Sequence, residues 1–235
     1  MSVLCEQIAE RMPHAEPIVV EVPRGTEFRR NARHAVLVVR SGLIVVFLYG
    51  MQGDRVALGT FGPQAVLGEI AALLTGSGET LTDSCFALSG ASLCSIPVEA
   101  FRSLVPNSTA ALTAVVKASA ANQSFLARQA WVLQGSRVID RVRRLLIVCS
   151  QKDGEMPPLG DTYLNVSHEG IAIAVHAERA SVSRALEKLE ERGGIVLKPN
   201  RIIISPQYWE SSKEEAGHLF DFKAQHTLPL LDALD

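Results

Sequence analysis

Between Pro17 and Ala100 the chain alternates short apolar runs with glycine-rich turns: IVVEV, VLVV, LIVVFL, VALGTF and CFAL are separated by PRG, RSG, YGMQGD, FGP and TGSG. Short β-branched runs at regular spacing, punctuated by turn residues, predict an antiparallel β-roll of the sandwich or barrel kind. Within it, GPQAVLGEIAALL places Gly62 and Gly68 around a tight connection, and IAALL predicts a short helix after Glu69. The pattern changes at Asn107. From there to Gln134 glycine and proline vanish and Ala, Leu and Val dominate, after a Pro106–Asn107–Ser108 start suited to a helix N-terminus. A helix of that extent is about 42 Å long. Leu112, Ser119, Leu126 and Leu133 recur along it at heptad spacing, with Val115, Asn122 and Gln129 beside them. That stripe predicts a dimer seam whose polar positions fix register or meet a ligand; the alternative is a helix packed along its own domain.

Gly135 and Ser136 interrupt the long helix and mark a candidate hinge and domain boundary, after which SRVIDRVRRLLIVCS predicts a second helix. QKDGEMPPLGDTYLNV reads as an irregular loop or small hairpin. Ser167 is the expected N-cap of the helix SHEGIAIAVH, with Glu169 in its first turn. The next helix lies in AERASVSRALEKLEERGGI. With residues stepped by about 100°, Ala180, Ser183 and Arg184 share an exposed sector with Arg179, and Val182, Ala185, Leu186 and Leu189 cluster opposite. Its basic residues are confined to the N-terminal end, while Glu187, Glu190 and Glu191 follow. IVLKPNRIIIS then alternates as two short strands. Helix, turn, helix and hairpin make a winged helix-turn-helix. The expected class is therefore α+β, with a β-roll at 1–106, a long helix and hinge at 107–135, a helix-turn-helix at 136–210 and an acidic extension of unassigned role at 211–235.

With 235 residues, 47% of them hydrophobic, the chain is long and apolar enough for a buried core, and a net charge of −2 excludes a general polyanion binder without excluding one locally basic surface. The longest apolar stretch, HAVLVVRSGLIVVFLYG, is broken by Arg40, Ser41 and Gly42, so no bilayer span and no membrane partner are expected. MSVLCEQIAERMPHAE lacks the features of a secretory leader, which points to the cytoplasm. The four cysteines, Cys5, Cys85, Cys94 and Cys149, are scattered without a CxxC pair, so reduced thiols are expected. The histidines form no HxxxH pattern, and no metal site is assigned. GxxxxGK[ST], GxSxG and HExxH are all missing, so no catalytic residues are assigned and no enzyme is expected.

A β-roll carrying GP(x)4GE, one long helix, and then a helix-turn-helix with SVSRALEKLEERGGI resembles the Crp/Fnr superfamily of bacterial transcription regulators over about residues 17 to 210. The resemblance implies a homodimer that places two recognition helices in successive major grooves of double-stranded DNA, about 34 Å apart on a near-palindromic site. It implies RNA polymerase as a further partner, and a small-molecule or redox effector that acts on the roll and shifts the long helix and the Gly135–Ser136 hinge. By position, Arg179, Ala180, Ser183 and Arg184 match base-contacting residues. Ala180 stands where members with a Glu-x-x-Ser-Arg pattern carry glutamate, so an acceptor for cytosine N4 is replaced by a methyl suited to thymine. Ser167 and Ser181 match phosphate contacts, and Lys198 and Arg201 flank the wing turn, within reach of the backbone.

At the effector end Gly68 and Glu69 match the pair that serves the ribose in cyclic-nucleotide binders. The arginine expected a dozen residues later is missing from GSGETLTDS, where Leu81 and Thr82 stand in the Arg and Ser positions. Without a cation a buried phosphate is costly, so cyclic AMP is not expected. Leu126 and Ala127 stand where the long helix of cyclic-AMP binders has Thr and Ser, which makes an apolar pocket the expectation, with Asn122 and Leu126 on its helix side. Haem is admitted as an occupant, with His34, Cys85 or Cys94 as ligand types, each of which reads first as an ordinary residue of the roll. Cys5 stands alone, without the N-terminal cysteine cluster of oxygen-sensing members. The effector and any cofactor stay unassigned. The competing reading is a ligand- or redox-sensing module that acts through a protein partner without specific DNA binding.

Overall fold

The computed structural model describes residues 3–11, 17–30, 34–74, 84–150, 161–199, 201–206 and 208. Eight strands build the roll: β1 (Ile18–Val22), β2 (Glu27–Arg29), β3 (Ala35–Ser41), β4 (Ile44–Tyr49), β5 (Arg55–Phe61), β6 (Val66–Leu67), β7 (Ser84–Ala87) and β8 (Ala91–Pro97). They form two four-stranded sheets, ordered β1-β8-β3-β6 and β2-β7-β4-β5, and every pairing is antiparallel. Strand β4 shows why its sequence, IVVFLY, reads as an unbroken apolar run. Ile44 and Val46 face the roll interior with Cys85 and Ala87 of β7, while Val45 and Phe47 face outward and join a core built with the C-terminal helices. Period-2 alternation persists, but both faces are covered.

The short helix α2 (Glu69–Leu73) follows Gly68, and α4 (Thr109–Leu133) is the long helix. Ser108 is its N-cap, accepting a hydrogen bond from Ala111 N at 3.3 Å. Two further helices, α1 (Val3–Arg11) and α3 (Val98–Leu104), pack at the base of the roll. Leu4, Cys5 and Ile8 of α1 share a core with Phe101 of α3 and Ala111, Val115 and Ala118 of α4. Cys5 and Cys94 of β8 are joined as a disulfide, which corrects the expectation of four reduced thiols. Their separation of 89 residues gave no spacing signal. Cys85 and Cys149 are buried and outside the disulfide, and burial pushes the Cys149 thiol up to about 12.

After α4 come α5 (Val138–Ser150), α6 (His168–Ala174) and α7 (Arg179–Glu191), then a three-stranded sheet of β9 (Thr162–Leu164), β10 (Ile195–Lys198) and β11 (Arg201–Ile204) in the order β10-β11-β9. β9 lies within the segment expected to be a loop or hairpin; it pairs with β11 and widens the wing. Among the described residues no helix is long and apolar enough to cross a membrane. The acidic extension at 211–235 lies outside the described residues.

The seam expected on α4 is only partly on a free face. Leu112 and Leu126 are exposed and Leu133 is half-buried, whereas Val115 is buried in the chain's own core and Ser119 and Asn122 turn toward Glu69 of the roll. The stripe that remains open runs through Leu112, Val116, Ala120, Gln123 and Ala127. The heptad period was legible, but its phase was set by the apolar residues that the roll buries.

Candidate nucleic-acid interface and roll cavity

Helix α6 starts at Ser167, whose Oγ accepts a hydrogen bond from Gly170 N at 3.0 Å. Helix α7 buries Val182, Ala185, Leu186 and Leu189, the face that the pattern predicts. Arg179, Ala180 and Arg184 are exposed at its N-terminal end, and Arg184 Nη2 donates to Ser181 Oγ at 3.2 Å. Ser183 departs from the expected exposed sector. It is half-buried, with its Oγ 3.0 Å from His168 Nδ1. Burial, reinforced by the charge of Arg179, holds His168 below its ordinary value and favours the neutral ring that this contact suits. On the wing, Lys198 pairs in register with Arg201, both are exposed, and Arg201 lies over the Tyr163 ring at 5.5 Å. Glu190 is no mere solvated charge: its carboxylate accepts from Leu197 N at 2.6 Å and ties α7 to the wing.

The helix-turn-helix is folded onto the roll. Ser167 N donates to Leu88 O at 3.2 Å, so the expected phosphate-contacting end of α6 is engaged within the chain. Arg55 of β5 bonds Glu169 at 2.7 Å and Glu27 at 3.0 Å. Ala57 N donates to His176 Nε2 at 2.7 Å, and Gln129 Nε2 of α4 donates to Ala174 O at 2.6 Å. A Cβ on Gly170 would meet the Leu88 and Phe86 side chains, which explains a glycine inside α6. The expected hinge residues lie in the link between α4 and α5. Gly135 is buried there, and a Cβ on it would sit 2.9 Å from Arg141 N.

A cavity of about 530 Å³ lies between the roll and α4. Gly68, Glu69, Asn122 and Leu126 line it, and Leu81 and Thr82 lie outside the described residues. Glu69 is 6% exposed, and its carboxylate accepts from Asn122 Nδ2 at 2.9 Å and from Ser119 Oγ at 3.4 Å. Burial raises its proton affinity, against these hydrogen bonds and the charge of Arg30.

Arg30 corrects the expectation of a cavity without a cation. It follows β2, is 7% exposed and lines the cavity. Gly68 has φ of 93°, and any Cβ on it would collide with Arg30 Nη1. The resemblance places the cation after α2, and no spacing rule connects Arg30 to Gly68. The haem expectation loses its ligands, since His34 is exposed, Cys94 is in the disulfide, and none of His34, Cys85 and Cys94 lines the cavity. Among the described residues no group of three or more His, Cys, Asp or Glu residues could hold a metal ion.

Residues 20–108 match the family model for the cyclic nucleotide-binding domain. A CRP-family transcriptional regulator from Thermus thermophilus superposes with a TM-score of 0.63 at 23% identity, covering 84% of this chain and 96% of that one. The chain has the CRP/FNR fold. The c-di-GMP responsive global regulator CLP of Xanthomonas campestris shares this fold at TM-score 0.61 and 22% identity, covering 85% and 99% of the two chains. FixK2 from Bradyrhizobium japonicum does so at 0.61 and 16%, covering 83% and 94%. No curated protein sequence matches the chain. The CRP/FNR fold accounts for the order of roll, long helix and winged helix-turn-helix.

Proposed function

We propose that this chain is a cytoplasmic, sequence-specific DNA-binding transcription regulator rather than an enzyme, acting as a homodimer and responding to a signal in the roll. The observation that carries the reading is the N-terminal end of α7. Arg179 and Arg184 project from a helix whose opposite face is locked in the core, beside Ala180 and Ser181 and with no carboxylate in the first turn. An arginine so placed bonds guanine O6 and N7 bidentately, Ala180 touches a thymine methyl, and Ser183 reads a base edge only by leaving His168. Ser167, Ser181, Lys198 and Arg201 serve the phosphates. The open stripe on α4, from Leu112 through Val116 to Ala127, faces its copy in the dimer.

Engagement of Ser167 and Glu169 by the roll supports a docked orientation that differs from the one used on DNA. A signal then changes the population of the two through α4 and the Gly135–Ser136 link. RNA polymerase is the expected partner of the DNA-bound dimer.

The same docking favours a second reading, in which the chain senses a ligand or redox signal and acts through a protein partner. Anisotropy with sites selected from a random duplex pool separates the two. Specific binding that weakens steeply with salt and collapses in Arg184→Ala supports the regulator; salt-independent or absent binding supports the partner module.

A further inference from the structure

We infer that the roll cavity binds an amphipathic acid, one carboxylate on a mainly apolar body, and that Arg30 holds the acid group. The inference rests on reading the roll as the sensing unit. At about 530 Å³ the cavity is of ordinary small-ligand size. Its walls are mostly hydrocarbon, from Val46, Leu58, Phe61, Leu67, Ile70 and Leu126. Its polar groups are few and mostly committed. Asn122 Nδ2 donates to Val66 O at 2.6 Å as well as to Glu69, and Ser119 donates to Glu69.

Among the described lining residues Arg30 is the one cation. Its guanidinium lies over Gly68, in space that any side chain at that position would fill. The fork of five N–H donors serves more than one acceptor, so sharing the field of Glu69 does not exhaust it. Arg30 has donors enough to hold Glu69 and one added acid group at once, and among the described lining residues there is no second cation to hold another. A sugar and base would bring further polar groups against hydrocarbon walls, each costing about 1–3 kcal/mol if left unsatisfied. An alkyl body instead lies along Leu58 and Leu126, and Leu126 belongs to α4, the helix that leads to the link with the DNA-binding unit. Occupancy is thereby felt by the element that joins the two units.

The test is isothermal titration calorimetry on the full chain with sodium decanoate, decanol and cyclic AMP as separate probes. Decanoate is expected to bind saturably and decanol at least about tenfold more weakly, because only the acid engages Arg30. Arg30→Met should lower decanoate affinity by at least about tenfold, and Arg30→Lys should restore part of it. Should Arg30→Met fail to fold, the decanoate–decanol comparison on the unaltered protein still decides. Equal binding of acid and alcohol, tighter binding of cyclic AMP than of decanoate, or no binding of any probe overturns the inference. DNA affinity is read separately. Specific DNA binding without decanoate binding sinks only this inference, and decanoate binding without DNA binding sinks only the regulator.

Discussion

The tip of α7 and the floor of the roll cavity both set arginine beside small residues, and they differ in what surrounds the charge. Arg179 and Arg184 stand in water, where their ordinary neighbours contribute little to stability and leave them available to an anionic partner. Arg30 is buried with Glu69, where each charge is held by specific neighbours and loss of one leaves the other exposed to the penalty of burial. An exposed arginine can be removed at the expense of binding alone. A buried one cannot be disturbed without disturbing the fold around it. The contrast extends to the small residues: on the proposed function Ala180 and Ser181 leave room for an approaching duplex, whereas Gly68 leaves room for a side chain of the same molecule.

The largest effect should come from the hidden face of α7. Leu186 is fully buried, and Leu186→Ala is expected to lower stability by about 2–5 kcal/mol in urea unfolding. A loss under about 1 kcal/mol would mean that the helix is not anchored as described. Gly68→Ala comes next. It adds the left-handed penalty of about 1–2 kcal/mol to the displacement of the Arg30 guanidinium from its buried place over Gly68. Gly53 has φ of 79° with nothing near a would-be Cβ, so Gly53→Ala incurs only the first of these. Equal losses at the two glycines would remove Arg30 from its place over Gly68. Arg184→Ala follows, with specific DNA affinity falling by about 1–3 kcal/mol, roughly ten- to a hundredfold, and the melting temperature unchanged. A matching fall in stability would erase the distinction between the two arginines.

That distinction also decides what the sequence could show. The parts of the α7 tip lie within six consecutive residues, Arg179 to Arg184, so helical periodicity alone assembles them and predicts the buried face correctly. Ser183 escaped because its partner, His168, lies on the preceding helix. The cavity draws on Arg30, Gly68–Glu69 and Ser119–Asn122, three separated segments brought together by sheet closure and by α4 lying across it. Only Gly68–Glu69 carried a motif, and Arg30 had none. Five strands of the roll, β1, β3, β4, β5 and β7, were legible as turn-bounded runs; β8 was not among them, and the two-residue β6 and the three-residue β2 are too short for any period. Cys5 met Cys94 through the docking of α1, a helix that no motif announced.

The smallest expected effect lies where the two regions touch. Only a neutral His176 ring can accept the hydrogen bond from Ala57 N. Burial pushes this imidazole below its ordinary value; Arg141 of α5 acts in the same sense and Asp54 of the β4–β5 turn against it. Arg55 and Glu169, paired with each other, and Glu178 and Arg179 line the same pocket as His176. The docked ring therefore takes up its proton at lower pH than the undocked one. Docking gains its full contribution from His176 above the ordinary histidine range and loses it progressively as pH falls toward the depressed value. The protection factor of the Ala57 amide in hydrogen exchange reads this directly. It should fall as pH drops through and below the ordinary histidine range in the unaltered chain, and much less in His176→Gln, whose side-chain oxygen accepts at every pH. Protection that ignores pH in both would separate His176 from the docking, and would leave Arg55–Glu169, the bond from Ser167 N to Leu88 O and the core that Val45, Phe47 and Leu88 share with the C-terminal helices to hold the two regions together.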